Sequence, residues 1–166
     1  LRRMLNLPMV QEKKLVTGEI ILRDPLRFKE SFTVNKGSRD GISPGDAVID
    51  ITPDGRMLLV GRVSACGARS SKVVTISEQS VRISGRVGSN SAIGFTNTGN
   101  AHAGNNKIRF GWLPLRDDYV SGGVVTTTGF EKGIPANIKI GELVLTGNSG
   151  FNFSNSQDLS AALIPA

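Results

Sequence analysis

The sequence predicts an all-β protein made of two small, similar β-barrels, and three observations lead to this fold class. From Lys14 onward, apolar and polar residues alternate with a period of two, which is typical of strands with one buried face. Glycine supplies 20 of the 166 residues without a Gly-x-y period, which is well above the usual ~7% and indicates many turns between short strands. The chain also resembles itself at an offset of about 76 to 80 residues.

The first residues have a helical pattern instead. Leu1, Met4 and Leu5 lie at positions i, i+3 and i+4, and Pro8 ends the pattern. Residues 1–14 are therefore predicted to be the end of a longer helix and a linker. Four later segments alternate with a period of two and are predicted strands: 32–34, 81–87, 108–112 and 138–140.

The turns between the strands have recognisable chemistry. Residues 43–46 read Ser-Pro-Gly-Asp, which predicts a type II turn because Gly45 then supplies the positive φ that this turn requires. Residues 52–55 read Thr-Pro-Asp-Gly and predict a type I turn. Gly37 and Gly41 are each expected to be able to supply a positive φ as well.

The internal repeat divides the chain into two units. The stretch FTVNKGSRDGISPGDAVI at 32–49 resembles IRFGWLPLRDDYVSGGVV at 108–125, with Phe32 falling on Ile108 at an offset of 76 and Gly45 on Gly123 at an offset of 78. Gly61 falls on Gly141 at an offset of 80. Units of this size are marginally stable alone, so we expect them to pack on one another. The predicted division is 1–14 for the helix end and linker, 15–90 for the first barrel and 91–166 for the second.

The charge and the cysteine content restrict the function only loosely. A net charge of +6 suits an acidic partner and equally suits an ordinary basic surface. The basic residues are scattered and the aromatics that could stack on bases are few, so nucleic acid is not the expected partner. Cys66 is the only cysteine, which excludes an intrachain disulfide, and it is expected to be a small buried side chain. No apolar run reaches the length of a membrane span.

Trypsin-like proteases also consist of two β-barrels, so a serine-protease triad is one possibility for this chain. Ser149 in TGNSGF could be a nucleophile, with an oxyanion hole formed by the amides of Gly147 and Ser149. His102 could be the base, and Asp117 or Asp118 could orient it. The repeat argues against this triad, because it places His102 and Ser149 in the same half rather than on opposite sides of a cleft. One His and one Cys offer no metal cluster. No catalytic residue, cofactor or metal is therefore predicted.

Several motifs in one order resemble the MreC family of bacterial rod shape-determining proteins. They are ILRDP at 21–25, FTVNKGSRDGISPGDAVI at 32–49, LLVGRV at 58–63, SSKVVTI at 70–76 and VVTTTGFEKGIPANIKIGEL at 124–143. The motif residues expected to matter for structure are Arg23, Asp24, Pro25, Gly37, Gly41, Gly45, Gly61, Arg62, Gly129, Pro135 and Gly141. This sequence departs from the family pattern at Leu58, Thr128, Ile134 and Asn137, and the last change is mild because Asn tolerates a left-handed backbone.

The resemblance implies a fold and a role. The fold would be a pair of six-stranded barrels like those of trypsin but without the catalytic residues, and 1–14 would end a coiled coil. The role would be that of a non-enzymatic scaffold that organises peptidoglycan synthesis on the periplasmic or extracytoplasmic side, anchored by a transmembrane helix that this chain lacks. Its partners would be a penicillin-binding protein 2 type transpeptidase, MreB, MreD and further copies of itself. A protease, active or degenerate, and a basic barrel that binds nucleic acid or an anionic polymer are the alternatives.

Four aromatic residues next to turns are candidate partner-binding residues. They are Phe28, Trp112, Tyr119 and Phe130. Small barrels have limited room for large rings, and residues beside turns often emerge at a barrel rim. We therefore expect one or two of the four to anchor a partner.

Overall fold

The computed structural model of the protein describes residues 15–27, 29–88, 91–97, 107–114, 119–145 and 161–165. These residues form eleven β-strands and one three-residue 3-10 helix, Ser38–Asp40, which confirms the all-β prediction. The predicted helix end at 1–14 lies outside them. The strands are β1 (Ile20–Arg23), β2 (Ser31–Val34), β3 (Ala47–Ile51), β4 (Met57–Cys66), β5 (Ser71–Thr75), β6 (Ser84–Val87), β7 (Ile93–Thr96), β8 (Ile108–Gly111), β9 (Val124–Thr127), β10 (Lys139–Leu145) and β11 (Ala161–Pro165).

The strands of the first half form an open antiparallel sheet. Their order is β1–β2–β5–β4–β3. Among the residues that the structure describes, β1 pairs only with β2 and β3 only with β4, so each leaves one edge open. Five described strands with open edges do not confirm the six-stranded barrel that was expected here.

The strands of the second half have neighbours on both sides. Antiparallel pairs run in the order β6–β7–β8–β11–β10–β9, and β9 pairs with β6 in turn. One parallel contact, Lys139 on β10 with Leu58 on β4, joins the two halves. The division at 90/91 stays a prediction. Strand β6 lies before residue 90 in the chain, yet it pairs with β7 and β9 of the second half.

One hydrophobic cluster spans both halves. Leu59 and Ile76 from the first half belong to it together with Phe110 from the second. The expected alternation is confirmed immediately before β6, where Val81 and Ile83 are buried and Arg82 is exposed, although the strand itself begins only at Ser84. The residues with fully enclosed side chains include Val73, Ile83, Val87, Phe110, Val125, Ile140 and Leu143.

The predicted turns are present in the first half. Gly45 has φ +93°, and the Asp46 amide donates to the Ser43 carbonyl at 3.2 Å, which confirms the type II turn. At 52–55 the Gly55 amide donates to the Thr52 carbonyl at 2.8 Å. In this second turn the Thr52 hydroxyl and the Arg56 guanidinium both donate to the Asp54 carboxylate, and these bonds lower its pKa.

Gly37 is glycine for a different reason from the one expected. Its φ is −144°, which any residue can adopt, so the prediction of a positive φ at Gly37 is wrong, whereas Gly41 has φ +86° as expected. A Cβ on Gly37 would lie 2.3 Å from the Gly67 carbonyl oxygen. The amides of Ser38 and Arg39 donate to Gly67 and Ala68. Close approach of two backbone segments therefore requires glycine at this position.

We expect Gly45→Val to destabilise the fold by about 1–3 kcal/mol, because a β-branched residue is strained at positive φ. The first residue of β3, directly after the turn, is bonded to the other half: the Ala47 amide donates to the Gly133 carbonyl at 3.1 Å. Thermal melting would measure the loss. Gly45→Asn is the matched control and should melt closer to the parent, since Asn tolerates a left-handed backbone. An unchanged midpoint for Gly45→Val would contradict the prediction.

Candidate functional site

Trp112, the first residue after β8, is an exposed ring in a rigid setting. Its side chain is 55% exposed, its φ is +59°, and it packs edge-on against Phe95 with the ring centroids 5.5 Å apart. The Arg82 guanidinium lies over the indole at 5.3 Å from the ring centre, a favourable cation–π distance. A left-handed backbone is costly for Trp, and strain of this kind often occurs where a side chain has a function.

Phe130 is more exposed still, at 70%, in the loop that follows β9. The neighbouring Glu131 carboxylate holds this loop to the start of β6, because it accepts from the Ser84 amide at 2.6 Å and from the Ser84 hydroxyl at 2.9 Å. The Thr128 hydroxyl contacts that of Ser84 and accepts from the Phe130 amide at 3.2 Å. The Thr128 hydroxyl therefore links the Phe130 loop to Ser84.

The two exposed aromatics belong to the same region of the second half. Ser84, to which the Phe130 loop is bonded, pairs across the strands with Phe95, and Phe95 contacts Trp112. We call Arg82, Phe95, Trp112 and Phe130 the aromatic patch. Packing holds the Trp112 ring and hydrogen bonds hold the loop that carries Phe130, so Trp112 and the backbone of this loop would lose little conformational freedom on binding a partner.

The other two candidate aromatics are placed differently. Tyr119 is only 8% exposed, belongs to the hydrophobic cluster and donates its hydroxyl to the Pro114 carbonyl at 2.6 Å. Its ring therefore fills the interior rather than a surface. Phe28 lies outside the described residues.

The motif residues near the start of the first half build local structure. The Arg23 guanidinium lies over the Phe32 ring, 5.6 Å from its centre, and the Asp24 carboxylate accepts from the Leu26 amide at 2.9 Å in the bend that contains Pro25. Arg62 pairs with Ala47 and Val74 within the sheet. None of these contacts brings reactive groups together.

The motif residues of the second half also have structural roles. Gly129 has φ +82° and Gly141 is buried in β10. The Pro135 carbonyl accepts from the Thr127 hydroxyl at 2.5 Å. Asn137 has φ +66°, the left-handed conformation for which Asn is a suitable substitute for Gly.

The residues of the catalytic alternative, His102, Asp117, Asp118 and Ser149, lie outside the described residues. Within the described ranges no three His, Cys, Asp or Glu side chains are grouped as metal ligands. Cys66 is half-buried rather than buried, and its thiol donates to the Ile42 carbonyl at 3.3 Å. The same part of the chain contains no helix with the length and hydropathy of a membrane span.

The first half exposes an apolar strand and a groove. All four residues of β1 are exposed, including Ile21 at 57% and Leu22 at 65%, and Leu26 just beyond it is 93% exposed. A groove of about 670 Å³ lies between the segment 15–18, β3 and the loop after Gly133. Open strand edges of this kind can pair with another chain.

Residues 20–162 match the family model described as rod shape-determining protein MreC, barrel core. The chain belongs to the MreC family. A curated relative, the cell shape-determining protein MreC of Listeria monocytogenes, is 31% identical over 131 residues, which are 77% of this chain and 42% of the relative. The MreC of Cereibacter sphaeroides is 37% identical over 84 residues, 49% of this chain and 26% of the relative. The chain thus spans less than half the length of the curated MreC proteins that it matches.

Solved MreC structures share the fold. The MreC structure from Listeria monocytogenes superposes with a TM-score of 0.70 and 26% identity, over 99% of this chain and 79% of that one. A structure of the major periplasmic domain of the cell shape-determining filament MreC gives a TM-score of 0.65 at 23% identity, over 92% of this chain and 99% of that one. The complex between a penicillin-binding protein (PBP2) and MreC from Helicobacter pylori gives a TM-score of 0.60 at 12% identity, over 90% of this chain and 83% of that one. At these identities the last two show the fold alone.

Proposed function

We propose that this chain is the docking part of a non-enzymatic scaffold in the bacterial cell-elongation complex, and that it binds a penicillin-binding protein 2 type transpeptidase. Membership of the MreC family supports the scaffold role, and an MreC of this fold has been solved in complex with such a protein. The aromatic patch is the observation that carries the proposal. Trp112 and Phe130 are large exposed rings; Phe95 and Arg82 pack against the Trp112 ring, and hydrogen bonds hold the backbone of the Phe130 loop.

The chemistry of the patch is that of a protein-binding hot spot. Trp and Arg are enriched among the few residues that supply most of the binding energy of interfaces. The stacked pair of Arg82 and Trp112 presents both types on one surface. Preorganised rings give affinity because little side-chain entropy remains to be lost.

The location and the other partners belong to the same proposal. The similarity to a periplasmic domain of MreC supports a position on the periplasmic or extracytoplasmic face, with a membrane anchor in the complete protein. MreB and MreD would then be contacted within the same complex. Self-association would use the open, apolar edge of β1, where backbone pairing with a second copy extends the sheet. Co-purification of the complete membrane-anchored protein would identify the partners.

Truncating either anchor should weaken binding to the transpeptidase without unfolding the chain. We expect Trp112→Ala or Phe130→Ala to cost about 2 kcal/mol, an increase of roughly 30-fold in Kd, because each ring is exposed in the free protein and buried in the complex. Titration calorimetry with the purified extracytoplasmic part of the transpeptidase would measure it.

Two control variants make this test specific. Val120→Ala removes an apolar residue that is 61% exposed. It lies near the end of β6 that is farther from Ser84 and the aromatic patch, so this variant should leave the Kd unchanged. Tyr119→Ala should lower the melting temperature, since that ring is in the core. If both anchor variants bind like the parent, the docking surface lies elsewhere.

The non-enzymatic part of the proposal has its own test. Ser149→Ala and His102→Ala should retain binding, and the parent should not react with a serine-directed probe. The reason is that both residues lie in the same repeat, so they are not expected to face each other across a cleft. Probe labelling that disappears in either variant would support the protease alternative instead.

A further inference from the structure

The strand pairings place two arginines on one face of the second-half sheet. Arg86 on β6 lies opposite Ile93 on β7 and Thr126 on β9, and residues directly opposite each other point to the same side. Phe95, two residues after Ile93, shares this face by the period of the strand. Gly111 on β8 pairs with Phe95. Arg109 lies two residues before Gly111 on the same strand, so it points to this face too.

The residues between them point the other way. Val87, Phe110 and Val125 alternate with the arginine face and are fully buried, whereas Arg86, Phe95 and Arg109 are half-buried. The arginine face therefore lies on the outside of this sheet. It continues into the aromatic patch, since the Phe95 ring contacts Trp112 and Arg82 covers that indole.

The guanidinium groups of this face have no acidic partner in the part of the chain that the structure describes. The ion pairs found there are Arg27–Glu30, Arg56–Asp54 and Lys139–Glu142. The Glu131 carboxylate, next to Phe130 in the chain, accepts hydrogen bonds from the Ser84 amide and hydroxyl. Arg82, Arg86 and Arg109 thus give this face a net positive charge beside two exposed rings.

We propose that this face, defined by Arg82, Arg86, Arg109, Phe95 and Trp112, docks an acidic segment of a protein partner. The inference rests on the proposed scaffold function and adds the chemical character of the partner surface. Arginine binds carboxylates through paired hydrogen bonds and stacks on aromatic rings. The rings beside it favour a protein partner over an anionic polymer, because a polymer of phosphates offers no apolar group for Phe95 and Trp112.

The spacing limits how the acidic groups can be arranged. Arg86 and Arg109 are separated by β7 and by four residues along it, which places their Cα atoms roughly 15 Å apart at the usual strand spacing and rise. An extended segment of about five residues covers this distance. Two carboxylates at its ends, with an apolar side chain between them over Phe95, would complement the face.

Charge and rings should affect different rate constants. Charges at the periphery of an interface steer encounter and act on kon, whereas buried anchors act on koff. We expect the double variant Arg86→Glu/Arg109→Glu to lower kon for the purified extracytoplasmic part of the transpeptidase by about 10-fold or more. We expect the kon of the parent to fall by a similar factor between 50 and 300 mM salt, and that of the variant to fall little.

A matched control separates this surface from net charge. Arg69→Glu/Lys72→Glu makes the same charge change on exposed residues of the first half and should leave kon within about twofold of the parent. Melting curves would verify that both variants are folded. Equal kon for the parent and the Arg86/Arg109 variant would overturn the inference.

Two further outcomes are distinguishable. If Trp112→Ala weakens binding and charge reversal does not, the scaffold proposal stands and the acidic-segment inference fails. If no variant binds differently from the parent, both fail. Polyphosphate serves as the second probe: loss of polyphosphate binding in the arginine variant, together with unchanged binding of the transpeptidase, would assign the face to an anionic polymer and also overturn the inference.

Discussion

Gly61→Ala should lower the free energy of unfolding by about 3 kcal/mol or more, a large effect for one methyl group. A Cβ at this position in β4 would lie 2.0 Å from the Val74 carbonyl oxygen and 2.8 Å from the Thr75 Cα. Both are backbone atoms of β5, which pairs with Gly61, so they cannot rotate away. The sheet would have to separate locally. Urea unfolding followed by circular dichroism would measure the loss.

Gly55→Ala is the control for this prediction. Gly55 has φ +84°, but nothing lies within 4 Å of an added Cβ. Its substitution should therefore show backbone strain alone, about 1–2 kcal/mol. Equal losses for the two variants would mean that the close approach of β4 and β5 is not what requires glycine in the VGRV motif.

Phe110→Ala should cost about 3–5 kcal/mol, because the variant loses a fully buried ring and leaves a cavity. The ring is 0% exposed and lies over two glycines of neighbouring strands. A Cβ on Gly85 would be 3.0 Å from Phe110 Cε2, and a Cβ on Gly94 would be 2.8 Å from Cε1. The absence of side chains at Gly85 on β6 and Gly94 on β7 thus provides the space for the ring.

A double-mutant cycle tests this packing directly. Gly85→Ala alone should be destabilising, since its methyl group would meet Val125 Cγ1 at 2.7 Å as well as the Phe110 ring. Combined with Phe110→Leu it should cost less than the sum of the two single variants, with a coupling on the order of 1 kcal/mol. Additive losses would contradict the contact. Arg86→Ala, on the outer face of β6, should show no coupling to Phe110→Leu.

Much of the local structure was predictable because it depends on neighbouring residues. The φ preferences of Pro44 and Gly45 are properties of those residues, so the turn at 43–46 could be assigned from four letters. The alternation of Val81, Arg82 and Ile83 likewise reports which residues are buried. The motif order was sufficient to indicate the MreC family, which the family model then showed.

Other features could not be predicted because they depend on segments distant in sequence. Gly37 was expected at positive φ. Position 37 instead requires glycine because a side chain there would collide with the backbone of Gly67, 30 positions away. Tyr119 was one of four candidate anchors beside turns, and its ring belongs instead to the core cluster. Adjacency to a turn does not determine the side to which a ring points. The opposing strands determine it.

The docking surface combines both kinds of information. The sequence by itself determined the all-β class, most of the turns and the family, and it offered Trp112 and Phe130 together with Phe28 and Tyr119 as candidate anchors. Only the tertiary structure decided that Ser84 links these two residues and that Arg86 and Arg109 share a face with Phe95. The physical reason is register. The period of two determines which residues of one strand lie on the same side. The pairing between strands determines which residues from distant segments share one surface.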